Sequence, residues 1–227
     1  QTAKTLNDDL GNLNQAISAA NSAKSTPNYT EADPDKQKAL EGALSAAKTA
    51  KTSNDPSAVE QATTDLKAAQ SGLNGDSNLA TAKEQADQHI AKLPNLSDGQ
   101  KDIAKQNISN AQTTSDVQQA EQTAKTLNDD LGNLNQAISA ANSAKSTPNY
   151  TEADPDKQKA LEGALSAAKT AKTSNDPSAV EQATTDLKAA QSGLNGDSNL
   201  ATAKEQADQH IAKLPNLSDG QKDIAKQ

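Results

Sequence analysis

At 227 residues the chain has room for one or two ordinary domains, yet only 33% of it is hydrophobic and it contains no Phe, Trp, Met or Cys. Any core must be built from Leu, Ile, Val and Ala, which bury little area each, so thin helical bundles are favoured over one large globule. With 30 Asp and Glu against 22 Lys, no Arg and a net charge of −8, the surface repels a nucleic-acid backbone and offers an anionic membrane no polybasic patch.

The chain opens inside a helical pattern. From Gln1 to Lys24, Leu6, Leu10, Leu13, Ile17 and Ala20 recur at steps of three and four. After Thr26-Pro27 a loop, Asn28 to Ala32, leads to Asp33-Pro34, an N-cap followed by Pro at the first helical position. The helix opened there turns Leu40, Leu44 and Ala47 inward and fades at Thr52-Ser53-Asn54. Asp55-Pro56 repeats the start signal. Val59, Ala62, Leu66, Ala69 and Leu73 form a third seam, which Gly72 and Gly75 close as C-terminal breakers. The short connections predict an antiparallel three-helix bundle over 1–75.

A smaller bundle is expected over 76–121. Ser77 caps a helix carrying Leu79, Ala82, Ala86, Ile90 and Leu93, which Pro94 ends. Ser97 with Gln100 is a capping box for a short helix bearing Ile103, Ala104 and Ile108. The third member is the first half of a Pro-free run from Ser115 to Lys145. There Val117, Ala120, Ala124, Leu127, Leu131, Leu134, Ile138 and Ala141 keep a heptad seam. Ser115 with Gln118 supplies a capping-box spacing, and Pro148 ends the run. At ~1.5 Å per residue this helix is ~45 Å long. Its second half begins the next large bundle, so Val117, Ala124, Leu127, Leu131, Leu134 and Ile138 are the expected junction residues between modules.

From Gln122 onward the chain repeats itself: Gln1 to Gln106 reappears unchanged as Gln122 to Gln227, an offset of 121 residues. A second large bundle is therefore expected over 122–196, and a small one, cut before its third helix, over 197–227. The fold class read from the pattern is all-α, an elongated tandem array of three-helix bundles whose long helices are shared between successive modules.

Several function classes fall away. No apolar run approaches the ~20 residues of a membrane helix. The chain opens with no signal peptide, which reads as a monomeric fragment of a much longer protein. Without Cys there is no disulfide framework, and the redox compartment stays open. His89 and His210 stand beside the seam residues Ile90 and Ile211 with no second His or Cys near them, a boundary position rather than a ligand or catalytic pair. The acidic loop from Glu31 to Asp35 lacks the alternating ligands and closing Glu of an EF-hand loop, which leaves weak cation attraction at most. Asp8 and Asp9 lie on a solvated face, and Asn74-Gly75 reads as a helix stop rather than a phosphate loop. No catalytic, cofactor-binding or metal residue is expected. Tyr29 and Tyr150 are the sole aromatics. Either each ring is a repeated surface anchor for a ligand, or it plugs the loop end of its bundle while its hydroxyl finds a backbone partner. The poverty of large side chains favours the plug.

Asn28-Tyr29-Thr30 followed by Ala32-Asp33 and a Lys-rich helix start resembles the FIVAR module. Leu79-Ala80-Thr81-Ala82-Lys83 through the helix at Val117 resembles a GA module. Their alternation is similar to the repeat regions of giant staphylococcal extracellular-matrix-binding surface proteins and related giant surface proteins of Gram-positive bacteria. The resemblance implies an extracellular, wall-attached location and a rod-like adhesin or envelope protein. Some GA modules bind serum albumin through the second helix and its flanking loops, which map here to Leu93 through Ile108. The exposed positions expected there, Asn95, Asp98, Gln100, Lys101 and Lys105, are a possible ligand surface. They include no aromatic or Arg anchor of the kind that dominates binding hot spots.

The resulting expectation is a non-catalytic structural repeat forming a stalk on a bacterial surface. The alternative is a repeated low-affinity binding module for a host serum or matrix protein of the albumin or fibronectin type, acting by avidity. An enzyme would need a pocket that thin Ala/Leu bundles rarely supply.

Overall fold

A computed structural model describes residues 2–227. Gln1, where the expected first helix begins, lies outside the described residues. Among those described there are twelve α-helices and no strand. The first seven are α1 (Thr2–Ala23), α2 (Pro27–Thr30), α3 (Pro34–Ala50), α4 (Pro56–Ser71), α5 (Gly75–Ala91), α6 (Asp98–Asn110) and α7 (Thr114–Ala144). The copies follow as α8 (Pro148–Thr151), α9 (Pro155–Ala171), α10 (Pro177–Ser192), α11 (Gly196–Ala212) and α12 (Asp219–Ala225).

Proline sets most of the large-bundle boundaries. Pro27, Pro34 and Pro56 each occupy the first turn of a helix, where the missing N–H is no loss. Asp55 caps α4 by accepting the Ser57 N–H at 3.0 Å. Ser97 and Gln100 form the expected capping box, with Ser97 N–H donating to Gln100 Oε1 at 2.9 Å and Gln100 N–H donating to Ser97 Oγ at 3.3 Å.

Four local expectations need correction. The stretch after Pro27 is not all loop: Pro27 to Thr30 winds into the single turn α2. The long helix is capped two residues earlier than expected, by Thr113 and Asp116, each accepting the other's backbone N–H at 3.0 and 3.1 Å. Ser115 and Gln118 then fall inside the helix. Gly72 closes α4 as expected, as its C-cap with right-handed backbone and its N–H donating to the Ala68 carbonyl at 2.9 Å, but Gly75 does not act as a second stop. Gly75 instead opens α5, and Ser77 lies within its first turn. The reason for glycine is space: a Cβ there would meet the Pro27 carbonyl at 2.4 Å and the Asn28 carbonyl at 2.6 Å.

The chain divides into two compact units, residues up to 92 with 101–122, and 93–100 with 123–227. In the first, α1, α3 and α4 pack pairwise around Leu13, Ala16, Leu40, Leu44, Val59 and Leu66. Beside them Ala86, Ile90, Ala104, Ile108 and Val117 are buried, and Lys83 Nζ donates to the Ser109 carbonyl at 2.8 Å, tying α5 to the end of α6. In the second unit the latter part of α7 buries Leu127, Leu131, Leu134 and Ala141, while α9 and α10 bury Leu161, Leu165, Val180 and Leu187.

The heptad reading of α7 holds except at Ala120, which is half-buried, and at Ile138, which is half-buried while Ala137 is buried. The same swap occurs at Ile17 and Ala16. A small side chain on the centre line permits close helix approach, and the larger Ile then covers the flank. On α6 Ile103 faces outward, 41% exposed, whereas Ile108 is fully buried.

Two glycines separate propensity from packing. Gly42 has open space where a Cβ would be, so Gly42→Ala should stabilise the first unit by about 0.5–1 kcal/mol. Gly75→Ala must push backbone aside and should destabilise it by about 1–3 kcal/mol. Urea unfolding of the two variants gives both signs in one experiment.

Candidate functional site

The short turn α2 and the acidic residues after it form a polar knot at the start of α5. Asn74 holds Asp33 at two points, its Nδ2 donating to Asp33 Oδ2 at 2.8 Å and its Oδ1 accepting the Asp33 N–H at 3.0 Å. Asn78 Nδ2 donates to the other Asp33 oxygen and to the Glu31 carbonyl, both at 3.0 Å. Asn28 Oδ1 accepts the Asp76 N–H in the first turn of α5 at 3.1 Å. The Glu31 carboxylate reaches the first turn of α7, where a single oxygen accepts the Thr114 N–H at 2.8 Å and its hydroxyl at 2.6 Å. Carboxylates at these helix starts also complement the dipole.

The loop read as a weak cation attractor thus directs its oxygens to the protein's own helices. Asp33 occupies the N-cap position of α3 without capping it by its side chain, because that carboxylate is engaged by Asn74 and Asn78. Those donors hold its carboxyl below the usual range, Asn74 most strongly. Asp154, Asn195 and Asn199 repeat the arrangement in the second copy. Glu152 there accepts from the Thr151 hydroxyl instead.

A second polar join lies in the second unit, around residues 93–100. Asn128, only 7% exposed, accepts the Asn95 N–H on its Oδ1 at 2.9 Å, and its carbonyl accepts from Asn95 Nδ2 at 3.0 Å. Gln100 Nε2 donates to the carbonyls of Lys172 and Ser174 at 3.2 and 2.7 Å. Gln100 is 5% exposed, which corrects its expected place on an open ligand surface: its amide satisfies carbonyls in the turn between α9 and α10. Asn95 and Asp98 are exposed as expected, and Lys101 and Lys105 are half-buried. Lys101 Nζ donates to the Ala91 carbonyl at the end of α5, 3.1 Å away.

Identical sequence in different surroundings shows what this join does. Leu6, Leu10 and Asn7 are half-buried or exposed, but their equivalents Leu127, Leu131 and Asn128 are all buried. All six expected junction positions are at least partly buried: Val117, Ala124, Leu127, Leu131 and Leu134 are 0–5% exposed, and Ile138 is the half-buried one.

The tyrosines follow neither expectation fully. Tyr29 is half-buried against the bundle core, and its hydroxyl donates to the Glu41 side chain at 2.7 Å rather than to backbone. Lys24 Nζ lies 3.1 Å from the same Glu41 oxygen and 5.6 Å from the ring centroid. Hydrogen bonding to Glu41 raises the pKa of both Tyr29 and Lys24, and the Tyr29 hydroxyl leads in lowering that of Glu41. Tyr150, Lys145 and Glu162 repeat the triad. His89 Nδ1 is 2.8 Å from Glu121 across the small bundle. A shallow groove of about 860 Å³, lined by Ser143, Thr147, Asn149, Lys188 and Gln191 among others, recurs in the first copy beside Ser22, Thr26 and Lys67. Among the described residues no cluster of His, Cys, Asp and Glu fits a metal, and no helix is long and apolar enough to cross a membrane.

Two module types alternate in this geometry, a large bundle with the α2 turn and a small one with the Ser97 box. The FIVAR domain model matches residues 9–74 and 130–195. The chain belongs to the FIVAR family. GA modules match at 76–130 and 197–227, between and after the FIVAR domains. Extracellular matrix-binding protein EbhA of Staphylococcus aureus strain Newman is 37% identical over 98% of this chain, which spans 7% of that protein. The corresponding ebh protein of strain NCTC 8325 is also 37% identical over 98% of the chain, which spans 2% of its length. A crystal structure of an EbhA domain from S. aureus superposes with a TM-score of 0.89 at 32% identity, covering 96% of this FIVAR/GA chain and 90% of that one. A second S. aureus structure, similar to streptococcal adhesins, has a TM-score of 0.50 at 35% identity and covers 53% of this chain and 98% of its own. The expected extracellular location agrees with these relatives.

Two tests follow from the joins. Asn7→Ala should change stability by no more than about 0.5 kcal/mol, while Asn128→Ala, which strands the Asn95 donor, should cost about 1–3 kcal/mol in urea unfolding. The pH dependence is set by Asp33 and Asp154. Their pKa is depressed in the folded state, so their contribution is present above the unfolded value near pH ~4 and is lost as pH falls through the folded value. Replacing both by Asn should flatten the acid limb of a pH–melting curve relative to the parent.

Proposed function

We propose that this FIVAR/GA array is a non-catalytic structural repeat, a rod-like stalk segment of a bacterial cell-surface adhesin or envelope protein. Its modules run 1–75, 76–121, 122–196 and 197–227, and it acts as a monomeric segment of a longer chain. The observation that carries this reading is α7, whose 31 residues run without a break from one bundle into the next. Buried side chains on both halves, from Val117 to Ala141, give each neighbouring bundle a stake in the same helix. Val117, Ala124, Leu127, Leu131, Leu134 and Ile138 are the residues assigned to that role.

The relatives, which are extracellular matrix-binding proteins, favour a second reading, in which each repeat binds a host matrix protein weakly and the array gains by avidity. The surface for it would lie at Asn95, Asp98, Lys101 and Lys105, with Gln100 removed by its burial.

Small-angle scattering tests the stalk. If each bundle advances the chain by one helix length, the fragment spans on the order of 100 Å with a radius of gyration near ~30 Å, whereas a globule of this length gives ~17 Å. A value near ~17 Å would remove the stalk reading. Pull-down on immobilised fibronectin or albumin separates the two functions: a pure spacer is not retained, and a binding repeat is retained more strongly as repeats are added.

A further inference from the structure

Asn74-Gly75 and Asn195-Gly196 are the two Asn-Gly pairs in the chain, and the structure explains why the second residue must be glycine. A Cβ at Gly75 would meet the Pro27 and Asn28 carbonyls at 2.4 and 2.6 Å and the Ala32 nitrogen at 2.8 Å; Gly196 meets the equivalent atoms at the same distances. Close packing of α5 on α2 thus forbids any side chain that would shield the backbone nitrogen following Asn74. The Asn74 amide is partly exposed and is held at both ends by Asp33.

We infer that Asn74 and Asn195 are latent self-modification sites, protected while Asp33 and Asp154 grip their amides and open to deamidation once that grip is released. In the reaction the Gly75 backbone nitrogen attacks Cγ of Asn74, forming an N–Cγ bond. The Cγ–Nδ2 bond breaks, and ammonia leaves with the proton given up by the Gly75 nitrogen. Water then opens the resulting succinimide at either carbonyl, yielding aspartate or isoaspartate. No oxidant, reductant or enzyme is needed. The product cannot reform the join. Its new carboxylate replaces the donor 2.8 Å from Asp33 Oδ2, setting like charges together, and isoaspartate adds a backbone carbon where the chain is most tightly packed. An opened module would therefore be marked permanently, making the array a record of past local unfolding.

The two copies supply an internal control, although their peptides are identical and one must be given a mass label. Ala68→Ser, at an exposed position of α4, marks the first. The labelled protein is held at mildly alkaline pH, folded or in urea, and the peptides spanning Asn74 and Asn195 are followed by mass spectrometry. Both sites should deamidate at least roughly tenfold more slowly in the folded protein than in urea, as loss of two hydrogen bonds and their packing implies. Asp33→Ala, with the near-isosteric Asp33→Asn as a second variant, should accelerate Asn74 under folding conditions and leave Asn195 unchanged. Asn74→Asp should speed hydrogen exchange in the first turn of α5. Equal rates in the folded and unfolded protein, or acceleration of both sites or neither by both Asp33 variants, would overturn the inference.

Discussion

A core made of Leu, Val, Ile and Ala cannot hold a large domain together, so each helix here must serve as much apolar surface as its length allows. The helix Thr114–Ala144 carries this constraint furthest. Its hydrogen-bond ladder is continuous, and its buried stripe runs from Val117 through Ala124 to Ala141. A helix of ordinary length would end where the first unit ends, near Gln122, and a linker would follow. Here residues 101–122 belong to one compact unit and 123–144 to the other, with no change of secondary structure between them. Nucleation of one long helix therefore serves two cores, which suits modules too small to nucleate several.

Polar joins complete what the thin cores leave unfinished. Glu31, Asp33, Asn74 and Asn78 link segments 41 to 83 residues apart in the chain. Asn95, Gln100 and Asn128 do the same for segments 33 to 74 apart. These amides and carboxylates range from exposed at Asp33 and Asn95 to buried at Gln100 and Asn128, and at the buried ones each bond adds modestly while each vacancy costs more. The Asn128 join also explains an inequality between identical sequences: Leu131 is 1% exposed, while Leu10 stays half-buried.

Local features were the legible part of the sequence. Pro34, Pro56 and Pro148, the Asp55 cap and the Ser97 box placed most helix boundaries within a residue or two, and the heptad spacing of α7 found its buried leucines. The FIVAR and GA order followed from short motifs combined with module length. What escaped was anything set by distant partners. The Asp33 side chain looks like an N-cap because its neighbours are those of one, yet its acceptors are taken by Asn74 and Asn78. Gln100 fits a capping box and does form it, but its free amide end is also spent on Lys172 and Ser174. Gly75 read as a stop because a wedge between backbones and a left-handed turn demand the same residue. Thr63 and Thr184 are buried with their hydroxyls returned to the Val59 and Val180 carbonyls, a local bond that residue type alone does not announce.

Whether α7 is one cooperative helix can be read from amide hydrogen exchange resolved by NMR along Thr114 to Ala144. One continuous helix gives a single protected block, with the amides around Gln122 to Lys125 exchanging as slowly as those beside Leu134. A minimum of protection there, with exchange as fast as in the fraying first turn at Thr114, would mean that two separate helices meet at the boundary and would contradict it.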